Sequence, residues 1–215
     1  MPTPLTARNA QATKPKLPGK RWIGCGWDAL LTVGLVAAPA AALAADAQSF
    51  MRTADVAGEQ LHLNGSGSRY KALFRVCDVA LYAQRAVGSE RDLLALPGAK
   101  RLHLVAARDI GRRELIRLLT PDLAGKPTAA AQASGLAHIA ARLETVTSLK
   151  RGDSLGVDFV PGRGTTLLLN GDPLGPPHPD ALLFAALVQP WLGAQAIDAS
   201  LRQALLGARA AAARN

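Results

Sequence analysis

Asn170-Gly171 is the strongest short hairpin signal in the chain, because both residues tolerate positive φ. Before it runs Thr165-Thr166-Leu167-Leu168-Leu169, and after it a short returning strand, Asp172 to Gly175. Upstream, Leu155, Val157 and Phe159 alternate with Gly156 and Asp158, the period of a half-buried strand. Pro161-Gly162-Arg163-Gly164 links that run to the next. Strands joined by tight turns pair antiparallel, so this stretch directs the chain toward an antiparallel sheet.

The rest of the chain supplies strands and helices in blocks. Residues 59–64 alternate as a strand, and Asn64-Gly65-Ser66-Gly67-Ser68 reads as a turn cluster. Residues 69–84 read as one long strand that bends or carries a bulge, and residues 101–107 as another. A helix is predicted over 109–119, ended by Pro121. A second is predicted over 128–148, with Thr128 as N-cap and Leu136, Ile139, Ala140 and Leu143 on one face. After Pro176, Pro177 and Pro179, Asp180 caps a helix over 181–192 and Asp198 caps one over 199–207. The Ala- and Arg-rich tail, 208–215, is expected to fray. Block order of this kind defines an α+β class with a mostly antiparallel sheet.

The amino-terminal 44 residues read as a leader. Arg8, Lys14, Lys16, Lys20 and Arg21 precede an uncharged run, Ala29 to Ala44, that ends in Ala42-Leu43-Ala44. This is a basic region, an apolar region and a small-x-small cleavage site. The run carries Pro39 and is short for a bilayer span of roughly 20 residues. The expectation is Sec export with cleavage after Ala44, leaving a periplasmic or secreted domain over 45–207 with no membrane insertion after cleavage; the alternative is an uncleaved anchor.

That leader changes the meaning of the charge. The whole chain carries +9, from 25 Lys and Arg against 16 Asp and Glu. From residue 45 onward, 20 cations face 15 anions, spread without a run of like charge. With no helix-turn-helix, RNP or zinc-finger pattern, nucleic acid is not an expected partner. Hydrophobic residues make up 49% and aromatics only 4%, so the core is aliphatic and sizeable.

Few residues carry chemistry. Of two cysteines, Cys25 leaves with the leader, and Cys77 sits in an apolar stretch suited to burial or a pocket wall. His62, His103, His138 and His178 share no metal spacing, so no metal is expected. No P-loop, dinucleotide fingerprint or nucleophile elbow is present, and no cofactor is implied. Arg69 stands out, after the Gly cluster and at the start of an apolar run. An Arg facing a cleft between sheet and helix can hold a carboxylate or phenolate by paired hydrogen bonds; the alternative is an Arg pointing to solvent at a strand end.

Three segments together resemble the chalcone isomerase-like family, in particular its exported bacterial branch. They are LNGSGSRYKALFRVCDVALY (63–82), LKRGDSLGVDFVPGRGTTLLLNGDPLG (149–175) and ALLFAALVQPWLGAQAIDASLRQALLG (181–207). The resemblance implies an open-faced β-sandwich, a large antiparallel sheet covered on one face by helices with a ligand cleft between. It implies that Arg69 matches the Arg that holds the phenolate in the plant ring-closing enzymes. Other positions depart from those enzymes. Cys77 stands where they carry a Thr, Glu114 and Pro121 fall near their Tyr and Asn, and Phe184 replaces a Ser or Thr on the late helix. The anion-holding group persists while the hydroxyl network is missing, which argues against ring closure.

Non-catalytic relatives in plants bind fatty acids with an Arg near the carboxylate. The leading expectation is therefore an exported protein that binds a small apolar or amphipathic anion. Arg69, Cys77, Glu114 and Phe184 would then be the ligand-binding residues. The rival is an isomerase or intramolecular lyase with Arg69 as electrostatic catalyst and Cys77 as replacement donor. A third reading is an assembly partner without ligand, in which Arg69 is paired internally.

Overall fold

The structure is a computed structural model that describes residues 50–120 and 130–212. The leader, Pro121 and Thr128 lie outside the described residues. In chain order the elements are β1 (Thr53–Val56), β2 (Glu59–Lys71), β3 (Phe74–Ala83), α1 (Glu90–Ala95), β4 (Lys100–Ala106), β5 (Ile110–Gly111) and α2 (Arg112–Leu119). There follow α3 (Ala130–Leu143), β6 (Ser148–Leu149), β7 (Ser154–Val160), β8 (Gly164–Leu169), β9 (Asp172–Pro173), α4 (Ala181–Leu192) and α5 (Ala199–Ala212). Seven strands form one sheet in the order β1-β2-β3-β4-β7-β8-β9, and β5 pairs with β6. Every pairing is antiparallel.

The β8–β9 turn has the expected form, with Asn170 at φ 52° and Gly171 at φ 93°. Asp180 and Asp198 cap their helices: Asp180 accepts from the Leu182 N–H at 2.8 Å, and Asp198 from the Leu201 N–H at 3.1 Å. The residues of 64–68 differ from the expectation. They lie inside β2, and the chain turns at Ala72-Leu73 instead. The predicted strand over 69–84 is thus the end of β2, a tight turn and all of β3. Ala72 takes φ 54°, an αL conformation without a glycine to announce it. The two predicted helices over 109–119 and 128–148 are shorter, because 110–111 and 148–149 leave them to pair as β5 and β6. The backbone of α5 continues past Gly207 to Ala212.

Strand alternation sorts the side chains into two layers. Cys77, Val79, Leu81 and Ala83 of β3, Leu102, Leu104 and Ala106 of β4, and Leu155 and Val157 of β7 join the main core beneath the helices. The intervening residues face the other way, where Ala80 and Tyr82 meet Val56, Leu61 and Ala99 in a smaller cluster. That face also carries a two-point ion pair, Arg101 to Asp158, at 2.6 Å on each arm. Helix α4 is the central cover. Leu183, Phe184, Leu187, Val188, Trp191 and Leu192 are buried, each contributing about 1.5–3 kcal/mol. Helix α5 lies over β2 beside it. Among the described residues no helix is long and apolar enough to cross a membrane.

Candidate functional site

Arg69 faces the helices because of one inserted residue. The β2–β3 pairing runs His62 to Ala83 and Leu63 to Tyr82, then resumes at Gly65 to Leu81. Asn64 is the extra residue, a bulge that reverses which face each later side chain takes. Before it, Leu61 and Leu63 sit with Tyr82 on the open face. After it, Gly65, Gly67 and Arg69 turn toward the helices, opposite Leu81, Val79 and Cys77. The bulge is locked by its own side chain. The buried Asn64 amide donates to the Leu205 carbonyl at 2.6 Å and the Val87 carbonyl at 3.1 Å, and its oxygen accepts from the Val87 N–H at 2.9 Å.

The two glycines that look like a turn serve close approach. A Cβ on Gly65 would collide with the backbone carbonyl of Ala204 and lie 2.7 Å from that of Leu205. A Cβ on Gly67 would lie 2.9 Å from Leu201 Cδ1. Bare backbone at these positions lets α5 settle directly on β2.

Where that helix and α4 converge over the strand end, Arg69 Cζ lies 5.8 Å from the centre of the Trp191 ring. Arg69 Nε and Nη1 are buried and have no hydrogen-bond partner, and the same is true of Trp191 Nε1. Three buried donors are therefore left open in one neighbourhood. Leaving such donors unmade costs about 1–3 kcal/mol each, more for a charged group. Asp198, the carboxylate that senses Arg69, is engaged elsewhere. It caps α5 and accepts from Ser200 Oγ at 2.6 Å, and these bonds, more than Arg69, hold its carboxyl below the usual range.

Cys77 stands beside Arg69 in the register and opposite Ala106 on its other side. Burial pushes its thiol up to about 12, against a smaller downward pull from Arg69. It is a neutral, weak donor at physiological pH, not a thiolate nucleophile. Glu114 lies near enough to act on the Cys77 thiol, but its carboxylate is bound to Arg108 at 2.6 Å. Phe184, on the same helix as Trp191, packs against β7. It lies 5.6 Å from Phe159, ring centre to ring centre.

The arrangement can hold an anion at one end of an aliphatic layer; the carboxylates within electrostatic reach, Asp198 and Glu114, are engaged by Ser200 and Arg108. Sequence reasoning finds Arg69 but misses Trp191, whose only signal is its place among the apolar positions of α4. His138 and His178 lie ring to ring at 5.0 Å, tilted by 53°, and among the described residues no three metal-ligating side chains cluster.

A curled antiparallel sheet with helices on one face defines an open-faced β-sandwich. The family model described as chalcone isomerase-like matches residues 42–207, and the chain belongs to that family. Among solved structures, the crystal structure of a fatty-acid binding protein of Arabidopsis thaliana superposes with a TM-score of 0.60. It is 16% identical, and the match covers 77% of this chain and 95% of that one. A search of curated proteins gives no match.

Proposed function

We propose that the chain is an exported, non-catalytic member of the chalcone isomerase-like family, of its bacterial branch, that binds a fatty-acid-like anion between sheet and helices. One observation carries the reading: Arg69 and Trp191 present three buried donors with no acceptor. A carboxylate would accept from the guanidinium edge in two-point fashion, with the indole N–H as a third donor. The aliphatic layer that continues from Cys77 along β3 and β4 suits a hydrocarbon tail. The Arabidopsis relative, a fatty-acid binding protein by its description, supports the same ligand class. An internally paired Arg69, which the assembly reading requires, is at odds with its open Nε and Nη1. The basic and apolar character of residues 1–44 supports export, and the first residue of the protein recovered from the periplasm tests it.

The binding test is native mass spectrometry of the protein recovered from its own cells, followed by calorimetric titration with saturated fatty acids of graded length. An apolar acid should copurify at one per chain. Arg69→Ala should weaken binding at least tenfold, and Trp191→Phe should weaken it less. No binding at any chain length, or equal binding by Arg69→Ala, would overturn the reading.

A further inference from the structure

The β2–β3 hairpin ends in apolar side chains that no part of the fold uses. At its tip Leu73 is 92% exposed, Phe74 72% and Tyr70 53%. Three large apolar residues at one protruding turn are uncommon on a water-facing surface, where apolar side chains are normally scattered. Directly behind them the surface is cationic. Lys71, Arg112, Arg113 and Arg117 line an open cleft of about 730 Å³ with Glu114 and Glu144. Both carboxylates are already engaged, Glu114 by Arg108 at 2.6 Å and Glu144 by Arg112 at 3.1 Å. Lys71, Arg113 and Arg117 have no carboxylate partner among the described residues. Arg113 and Arg117 are one helical turn apart on the exposed side of α2.

We propose that this end of the molecule is a docking surface for an anionic lipid bilayer. The apolar tip enters the interfacial region, and the Lys71, Arg113 and Arg117 rung behind it meets the lipid phosphates. The shape favours a bilayer over a folded partner, since the apolar residues sit on a projection and the charges sit behind it. An aromatic and aliphatic point with a basic collar matches the layering of headgroup and acyl boundary. It is a peripheral contact, distinct from a spanning segment. It also places the membrane next to Arg69, which lies two residues before Lys71 in the same strand. The proposal stands without a bound ligand, because vesicle attachment is read on the protein alone.

The test uses the protein as recovered after export, carrying an environment-sensitive dye at Leu73→Cys. A second preparation carries the dye at Arg163→Cys, on the β7–β8 turn at the opposite end of the strands. Vesicles of phosphatidylcholine with and without phosphatidylglycerol are added, and sedimentation is measured in parallel. Anionic vesicles should shift the dye to the blue at position 73 and leave it unchanged at 163. Leu73→Ser with Phe74→Ser should weaken sedimentation on the order of tenfold. Each of Lys71→Glu, Arg113→Glu and Arg117→Glu should weaken it about fivefold or more, with binding falling as salt rises. Sedimentation without a shift at 73 would place attachment elsewhere and overturn the proposal. So would equal shifts at both positions, equal binding to neutral vesicles, or self-association through the tip without lipid.

Discussion

The Asn64 amide nitrogen donates to the Leu205 carbonyl at 2.6 Å, tying the bulge in β2 to the final helix. The same side chain closes on both backbone groups of Val87. Asn64→Ala leaves both backbone groups of buried Val87 without their Asn64 partner and removes the tie to α5, and we expect a loss of about 2–4 kcal/mol in urea unfolding. Because the bulge decides which way Arg69 points, acid binding should fall together with stability. A loss below about 1 kcal/mol would mean that packing of α5 alone holds the bulge.

Gly65 and Gly67 should differ in a graded way. Gly65→Ala drives a methyl group into helix backbone, which cannot move without lifting α5. Gly67→Ala meets the end of the Leu201 side chain, which can rotate. Thermal unfolding should show a cost of about 3 kcal/mol or more for the first and about 1–2 for the second. Gly111→Ala, with open space around its Cβ, should change stability by less than about 1 kcal/mol. Equal, small effects at 65 and 67 would count against close approach as the reason for these glycines.

Cys77 predicts an alkaline limb. In the folded chain burial keeps its proton until about pH 12, while the unfolded thiol ionises near its ordinary value of 9.0. Between those limits the unfolded state binds fewer protons, so stability falls as pH rises. Cys77→Ala removes that contribution. The difference between the parent and the variant should therefore narrow from pH 8 to pH 11, by on the order of a few kcal/mol at the upper end. The native thiol should also resist Ellman's reagent until the protein unfolds. A pH-independent difference would show that the thiol is not sequestered.

What the sequence made legible follows from where its signals are local. Asn170-Gly171 and the caps Asp180 and Asp198 act within a few residues, and their structural roles match their pattern. The cluster at 64–68 has the composition of a turn because glycine serves turns and close packing alike. Only the distant Ala204 and Leu205 backbone distinguishes the two uses. The true turn at Ala72-Leu73 has no Gly, Asn or Pro, so its local signal is absent. Arg69 was visible as a lone cation in an apolar run, and the family resemblance pointed to it. Trp191 was not, since its meeting with Arg69 joins two elements far apart in the chain, a relation no local pattern encodes.

Arg69 offers the sharpest separation of a structural residue from a binding one. If its guanidinium were part of the core bonding, Arg69→Leu would destabilise the empty protein by several kcal/mol, as breaking a buried pair does. Its Nε and Nη1 make no such bonds, and the desolvation cost falls on the empty fold. Arg69→Leu keeps the aliphatic bulk against Trp191 and removes the buried charge. The empty variant should therefore equal the parent or exceed it by about 1–3 kcal/mol. With fatty acid at about a hundredfold excess over Kd the order should invert, since the parent gains about 2.7 kcal/mol from bound ligand and the variant gains little. Denaturant curves of both chains, with and without acid, read the two effects separately. A large loss in the empty variant would make Arg69 structural, and an equal gain with acid in both chains would move the anchor to another residue.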